Sequence, residues 1–245
     1  MLETEVASLR DFLLKRNDYI PQLSVDCVVF SCHEKQLKVL LVQPKGMEAW
    51  ALPGGFVSQN EDIESAAQET LKERTGLTEV RLDLFQVFGK ASRNTQDSMR
   101  AYFLLQGIAG HEFEWLMKRF VTVGYYALVN FLEVRPTPSV LANSCTWFDI
   151  SRLPLLAFDH SEIIRSALDS LRKNLDSKLL SPDLLPALFT MNELQVLYET
   201  ALGTPLRRNN FQRRILGLDL LERTDKRYTG GAHKAPYLYR LKEKR

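Results

Sequence analysis

The chain has 245 residues, 45% of them apolar and 25% charged, an ordinary globular composition that suits one large domain or two small ones. Charge-free runs stop at 13 residues, as in 120–132, short of the roughly 18 apolar residues of a membrane-spanning helix. The first 16 residues scatter Glu3, Glu5, Arg10 and Asp11 among apolar side chains, unlike a signal peptide. Cys27, Cys32 and Cys145 show no Cys-x-x-Cys spacing, so neither a disulfide framework nor a zinc ribbon is expected, and a reducing cytoplasm fits. The net charge of +2 conceals an asymmetry. Residues 205–245 hold twelve Lys or Arg against four acids, a net +8, which leaves −6 on the first 204. An acidic body with a basic end suggests a nucleic-acid-binding module, although a charge run alone is also what a solvated tail looks like.

Val6, Leu9, Phe12 and Leu13 fall at helical spacing and predict a short amphipathic helix over 5–16, ended by Tyr19-Ile20-Pro21. Two β-rich runs, 23–31 and 37–43, flank the polar Cys32-His33-Glu34-Lys35-Gln36 and predict a hairpin. Segments 79–88, 120–132 and 144–148 are also strand-like. Helices are expected over about 62–75, with Ile63, Ala66, Ala67 and Leu71 on one face, and over about 160–174, with Ile163, Ile164, Ala167, Leu168 and Leu171 inward. Strands and helices mixed without regular alternation point to an α/β sandwich. Residues 174–186, with Ser177, Ser181, Pro182 and Pro186, predict a connector.

Beyond the connector, Thr190-Met191-Asn192-Glu193 is a capping box that opens a helix with Leu194, Leu197, Tyr198 and Ala201 inward, ending at Gly203. A tight turn leads to a second helix, about 209–217, whose buried face is marked by Phe211 and Ile215. Its other face carries Asn209, Asn210, Gln212, Arg213 and Arg214, residue types that read base edges. Leu218–Arg223 and Pro236–Leu241 predict two strands around a Gly230-Gly231 turn, with Lys226, Arg227 and Lys234 at its tip. Helix, turn, helix and basic hairpin is the order of a winged helix-turn-helix; a small dimerisation domain with a charged surface is the alternative. The expected DNA contacts are Arg207, Arg208, Asn209, Asn210, Gln212, Arg213, Arg214, Lys226, Arg227 and Lys234. His233 has no second ligand at metal-binding spacing.

Gly55, Glu61, Leu71, Glu73, Gly76 and Leu77 fall in the register of a Nudix box, and Trp50-Ala51-Leu52-Pro53-Gly54-Gly55-Phe56-Val57 resembles its lead-in. The resemblance implies a Nudix-type α/β/α sandwich. In that family the box carboxylates hold Mg²⁺, which neutralises a pyrophosphate and activates water. Here the box arginine is Glu69, the next glutamate is Thr70 and the second of the paired glutamates is Arg74, so only Glu73 remains of three helix carboxylates. A cation beside the metal position disfavours a divalent ion, so neither metal, cofactor nor catalytic residue is expected. Glu69 and Glu73, four apart, could form a displaced two-carboxylate site, or Glu69 could be a solvated surface residue.

A degenerate Nudix domain followed by a winged helix resembles the Nudix-related transcriptional regulators of bacteria. Three stretches extend the likeness: Leu156-Ala157-Phe158-Asp159-His160 resembles the opening of that group's linking helix, and Phe189–Gln195 and Asn210–Arg214 its DNA-binding helices. The resemblance implies a homodimeric repressor of a double-stranded DNA operator, sensing ADP-ribose, a sugar or a sugar phosphate, with no membrane partner. It divides the chain into an N-terminal helical extension (1–22), an effector domain (23–155), a linking helix and connector (156–183) and a winged helix (184–245). The 94–118 stretch, with Tyr102, Phe103, Phe113 and Trp115, is about twenty residues longer than the group's pattern and could pack on its own domain, meet a dimer partner or lid the pocket. Expected ligand contacts are Asp26, Lys45, Trp50, Gly54, Gly55, Phe56, Glu73, Lys90 and Arg93. Asp26 lies inside an apolar strand, and a buried carboxylate needs a partner: a ligand hydroxyl, a backbone amide or an arginine. Trp50 could instead be core, and the three cations surface. Hydrolysis of a nucleoside diphosphate derivative is the alternative function, and RNA recognition ranks last.

Overall fold

The longest strand, β1 (Tyr19–His33), organises the body of the protein because it is apolar on both faces. The computed structural model describes residues 7, 10–93, 100, 103–104, 107–181, 184–227 and 235–242. β1 begins at Tyr19, four residues before the expected start, because Pro21 tolerates an extended backbone as readily as it ends a helix. Among the described residues it is preceded by helix at Ala7 and at 10–14 and by a 3₁₀ turn, Lys15–Asp18, and Leu13 is buried there. β1 turns into β2 (Gln36–Pro44) through Glu34 and Lys35, both at positive φ, the two-residue geometry whose twist matches the strands.

Four more strands complete the sheet: β3 (Gly54–Ser58), β4 (Asp83–Phe88), β5 (Val121–Val129) and β6 (Ala142–Asp149). The order is β4-β5-β1-β2-β6, with β3 paired to the first half of β1. β1 and β5 run parallel from Leu23 against Val121 to Ser31 against Val129. Helix α1 (Ile63–Thr75) covers one face, where Val25, Cys27 and Val29 meet Ala66, Ala67 and Leu71. A short helix, α2 (Gly110–Phe113), lies between β4 and β5 in sequence. Helix α3 (His160–Lys173) covers the other face, where Val28 and Phe30 meet Ile163, Ile164, Ala167 and Leu171. This is the α/β/α sandwich, and the period of two along β1 assigns alternate residues to the two helices.

The expected connector contains a further helix, α4 (Leu175–Leu179), because Leu175 and Leu179 are four apart and both buried. β7 (Phe189–Thr190) then leads into α5 (Met191–Leu202). The capping box closes there: Thr190 Oγ1 accepts from the Glu193 amide at 3.2 Å, and the Thr190 amide donates to Glu193 Oε2 at 2.7 Å. Helix α6 (Arg208–Gly217) follows, then β8 (Leu221–Lys226) and β9 (Tyr237–Leu241), which with β7 form a three-stranded sheet. β8 starts three residues later than expected, and Asp219, at positive φ, lies in the turn before it. One apolar cluster runs from Phe30 and Leu41 through Leu171 and Leu179 to Tyr198, Phe211 and Tyr239, so the winged helix is packed against the Nudix body. Among the described residues no helix is long and apolar enough to cross a membrane, and the three cysteines are unpaired.

Candidate effector cavity and nucleic-acid interface

A cavity of about 500 Å³ opens where β1, β3 and the start of α3 meet, within the size range of small-molecule sites. Two glycines give it depth. A Cβ on Gly54 would lie 2.2 Å from Asp26 Oδ1, and one on Gly55 would lie 2.3 Å from Thr70 Oγ1. Side chains at either place would collide with the strand or helix below, so the lead-in loop can lie this close only with glycine.

The floor is a buried polar group drawn from four distant parts of the chain. Arg93 Nη1 donates to the carbonyls of Phe88 (2.9 Å) and Phe120 (3.1 Å) and to Thr122 Oγ1 (2.7 Å). Its Nη2 donates to Asp159 Oδ1 at 2.8 Å, and its Nε lies 2.6 Å from Asp159 Oδ2. His160 Nδ1 accepts from the Leu52 amide at 2.9 Å, which leaves the proton of the neutral ring on Nε2, 3.7 Å from Asp26 Oδ2. Burial dominates both titrations. It pushes Asp26 up to about 8, against the pull of Arg93, and His160 down to about 4, against the pull of Asp159. Near neutral pH the floor therefore holds a protonated carboxyl and an uncharged imidazole, both able to donate a hydrogen bond.

The roof is aromatic. Phe56 packs on Phe12, Trp115 and Phe120 with ring centroids 5.8, 5.3 and 5.3 Å apart. Phe103 and Leu116 from the long 94–118 stretch line the cavity, while Phe113 is fully buried beneath them. That stretch thus both packs on its own domain and walls the cavity; Tyr102 and 94–99 lie outside the described residues. The helical stretch at 10–14 adds Phe12 to the same wall.

Of the residues expected to touch a ligand, Asp26, Lys45, Gly54, Gly55, Phe56 and Arg93 line the cavity. Three do not. Trp50 is half-buried and packs against the core edge-on to Phe148 at 4.6 Å, beside its strand bridge to Leu156. Lys90 is paired with Glu162 on α3. Glu73 is exposed on α1 and is not part of the cavity lining. Glu69 is also exposed and pairs with Lys72 at 3.2 Å; it too lies outside the cavity lining. The motif reading misses His160, Asp159, Arg74 and Thr122, whose roles arise from contacts 20 to 108 residues apart. A buried His directly after Asp159 at the start of an amphipathic helix is the one local signal.

In the winged helix, Arg207, Arg208, Asn209, Asn210 and Arg213 are exposed at the start and outer face of α6, and Gln212 is half-buried. Among the described residues the hydrogen bond of Arg213 is a long one, 3.5 Å to Asn210 Oδ1. Arg214, expected beside it, points elsewhere: Nη1 lies 2.8 and 2.9 Å from the two oxygens of Asp176 on α4, and the guanidinium sits 5.1 Å over the Tyr198 ring. Arg227 bonds Glu193 of the capping box at 2.6 Å. Lys226 lies 5.2 Å over the Tyr237 ring. Both expected contacts, Arg214 and Arg227, are thus engaged within the fold. Lys234, His233 and the Gly230-Gly231 turn lie outside the described residues.

Fold and site together define a Nudix domain carrying a helix-turn-helix reader. The NUDIX domain model matches residues 20–167, and the NrtR DNA-binding winged helix domain model matches residues 182–241. The ADPR responsive transcriptional repressor NtrR of Acinetobacter baylyi is 32% identical over 250 residues, covering 98% of this chain and 91% of that protein. Shewanella oneidensis NrtR has a crystal structure similar at TM-score 0.65 and 29% identity, covering 90% of this chain and 94% of that one; its complex with a 27mer DNA gives 0.64. An ADP-ribose pyrophosphatase of Methanocaldococcus jannaschii is 27% identical over 164 residues, 66% of this chain and 81% of that protein. The chain belongs to the NrtR family of Nudix-domain transcriptional regulators.

Proposed function

We propose that the protein is a cytoplasmic, homodimeric repressor that binds a double-stranded operator and responds to an ADP-ribose-like metabolite held, without hydrolysis, in the Nudix cavity. Residues 23–155 act as the effector domain, 156–183 as the link and 184–245 as the DNA reader. The observation that carries this reading is the placement of α3. Its first residue, His160, and the preceding Asp159 belong to the cavity floor, while Arg172 near its end donates to the carbonyl of Ala201 at 3.3 Å, in the last turn of α5. One helix therefore touches both the ligand site and the DNA-reading motif. A ligand that favours one setting of α3 biases the placement of α6, and operator affinity follows only if half-site spacing is matched in that placement. The Acinetobacter relative is described as ADPR responsive, and the Shewanella relative has been solved on DNA.

The box supports the reading without hydrolysis. Its helix keeps Glu73 alone of three carboxylates, too little charge to hold a catalytic divalent ion. Incubation with ADP-ribose and Mg²⁺ is expected to return the nucleotide intact, and sheared genomic DNA retained on the full-length protein is expected to enrich for discrete duplexes. Cleavage to AMP and ribose 5-phosphate at ordinary enzymatic rates, abolished by Glu73→Gln, would make the protein a hydrolase instead.

A further inference from the structure

The Nudix fold implies a magnesium site on helix α1, and the residues of this chain do not fit one. Thr70, buried at 6% exposure, stands at one carboxylate position and packs under Gly55. Glu69 is neutralised by Lys72, and Glu73 lies off the cavity wall. Among the described residues no three His, Cys, Asp or Glu side chains gather as a metal-ligating group.

What does reach the cavity from this helix is Arg74. Its Nε donates to the Gly54 carbonyl at 3.1 Å, which fixes the plane of the guanidinium against the glycine loop. Neither terminal nitrogen is bonded to an acceptor among the described residues. Burial lowers its pKa, opposed by Glu73, but a guanidinium stays charged at neutral pH. Apart from Lys45, a second cation in the lining, the other charges at the site largely cancel. Arg93 is matched by Asp159, Asp26 is held protonated near neutrality and His160 is uncharged. The wall therefore presents a pre-aimed cation with a two-pronged donor edge, in a cavity that also holds Lys45 and whose remaining lining is mainly apolar and polar-neutral. Such an edge matches two oxygens of a phosphate, and low local dielectric strengthens the contact.

We propose that Arg74 takes the place of the absent magnesium ion and binds the phosphate oxygens of a diphosphate-bearing effector directly, so that effector capture needs no metal. The same exchange explains how a hydrolase scaffold retains its ligand: a guanidinium neutralises phosphate charge but offers no bound water to deprotonate. This rests on the effector reading above.

Calorimetric titration of the full-length protein with ADP-ribose, in Mg²⁺ and in EDTA, tests it. Affinity is expected to agree within about twofold between the two buffers. Arg74→Gln is expected to weaken ADP-ribose at least about tenfold, while Arg74→Lys, which keeps charge but loses the fork, weakens it less. Binding of adenosine, which lacks phosphate, should be the same in wild type and variants; unliganded melting temperatures report whether each variant folds. Affinity that collapses in EDTA, or is unchanged in Arg74→Gln, overturns the proposal and leaves the effector reading standing. ADP-ribose that fails to bind in either buffer overturns both.

Discussion

The cavity and the winged helix each contain two neighbouring arginines put to opposite uses. In the cavity Arg93 is consumed by structure, with Asp159, two carbonyls and Thr122 around it, while Arg74 keeps its terminal nitrogens open. In the reader Arg214 is consumed by Asp176, and Arg213, one residue earlier, keeps its guanidinium exposed. The two consumed arginines differ in depth: the Arg93 side chain is 8% exposed and that of Arg214 47%. Depth decides energy, because a buried pair loses far more than a wet one when a partner is removed. Whether an arginine is structural or functional is thus set by its distant partner rather than by its residue type.

The largest effect is expected at the deep pair. Arg93→Ala strands Asp159 at 22% exposure and should cost about 3 kcal/mol of stability, measurable by urea unfolding. A loss below about 1 kcal/mol would erase the contrast with Arg214. Next comes the reader. Arg213→Ala should weaken a selected operator duplex by about 1–3 kcal/mol and random DNA by less. Equal weakening on both would reduce Arg213 to a phosphate contact. At the wet pair, Asp176→Ala removes the partner of both Arg214 and the Tyr198 hydroxyl, which bonds Asp176 at 2.8 Å. About 1 kcal/mol is expected, chiefly from the stranded hydroxyl of a fully buried Tyr198. If Arg214→Ala instead matches Arg213→Ala in lowering operator affinity while stability holds, its assignment to structure is wrong.

A separate effect, graded rather than all-or-none, concerns pH. Asp26 is raised from 3.8 to about 8, so its stabilising contribution is complete below 3.8 and disappears as pH rises through about 8. His160 is lowered from 6.5 to about 4, so its contribution is complete above 6.5 and is lost as pH falls through about 4. The two oppose each other below 6.5. Above 6.5 the His160 contribution dies away within about one unit and Asp26 dominates up to about 8, so stability should fall with rising pH by at most about 1.4 kcal/mol per unit. Asp26→Asn, which mimics the protonated acid, should flatten that slope; an identical slope in the variant would place the titration elsewhere.

Much of the fold is legible in the residues because it is written in local periods. Alternation along β1, the helical stripe of Ile163, Ala167 and Leu171 and the capping box at Thr190 each follow from short-range geometry. The register from Gly55 to Leu77 likewise locates α1 and its missing carboxylates. What escapes is pairing across distance. Arg93 meets Asp159 over 66 residues, Leu52 meets His160 over 108 and Asp176 meets Arg214 over 38. No spacing rule links such partners, which is why the position of Trp50 against the core, the engagement of Arg214 and the role of His160 become visible only in three dimensions.

The central claim is that cavity and reader are coupled through α3. It is tested most directly by fluorescence anisotropy of a labelled operator duplex, selected from genomic DNA, titrated with the full-length protein with and without saturating ADP-ribose. The expected result is a shift in operator affinity of about fivefold or more, a coupling of at least about 1 kcal/mol. Superimposable curves, with ADP-ribose binding verified calorimetrically in the same buffer, would contradict it.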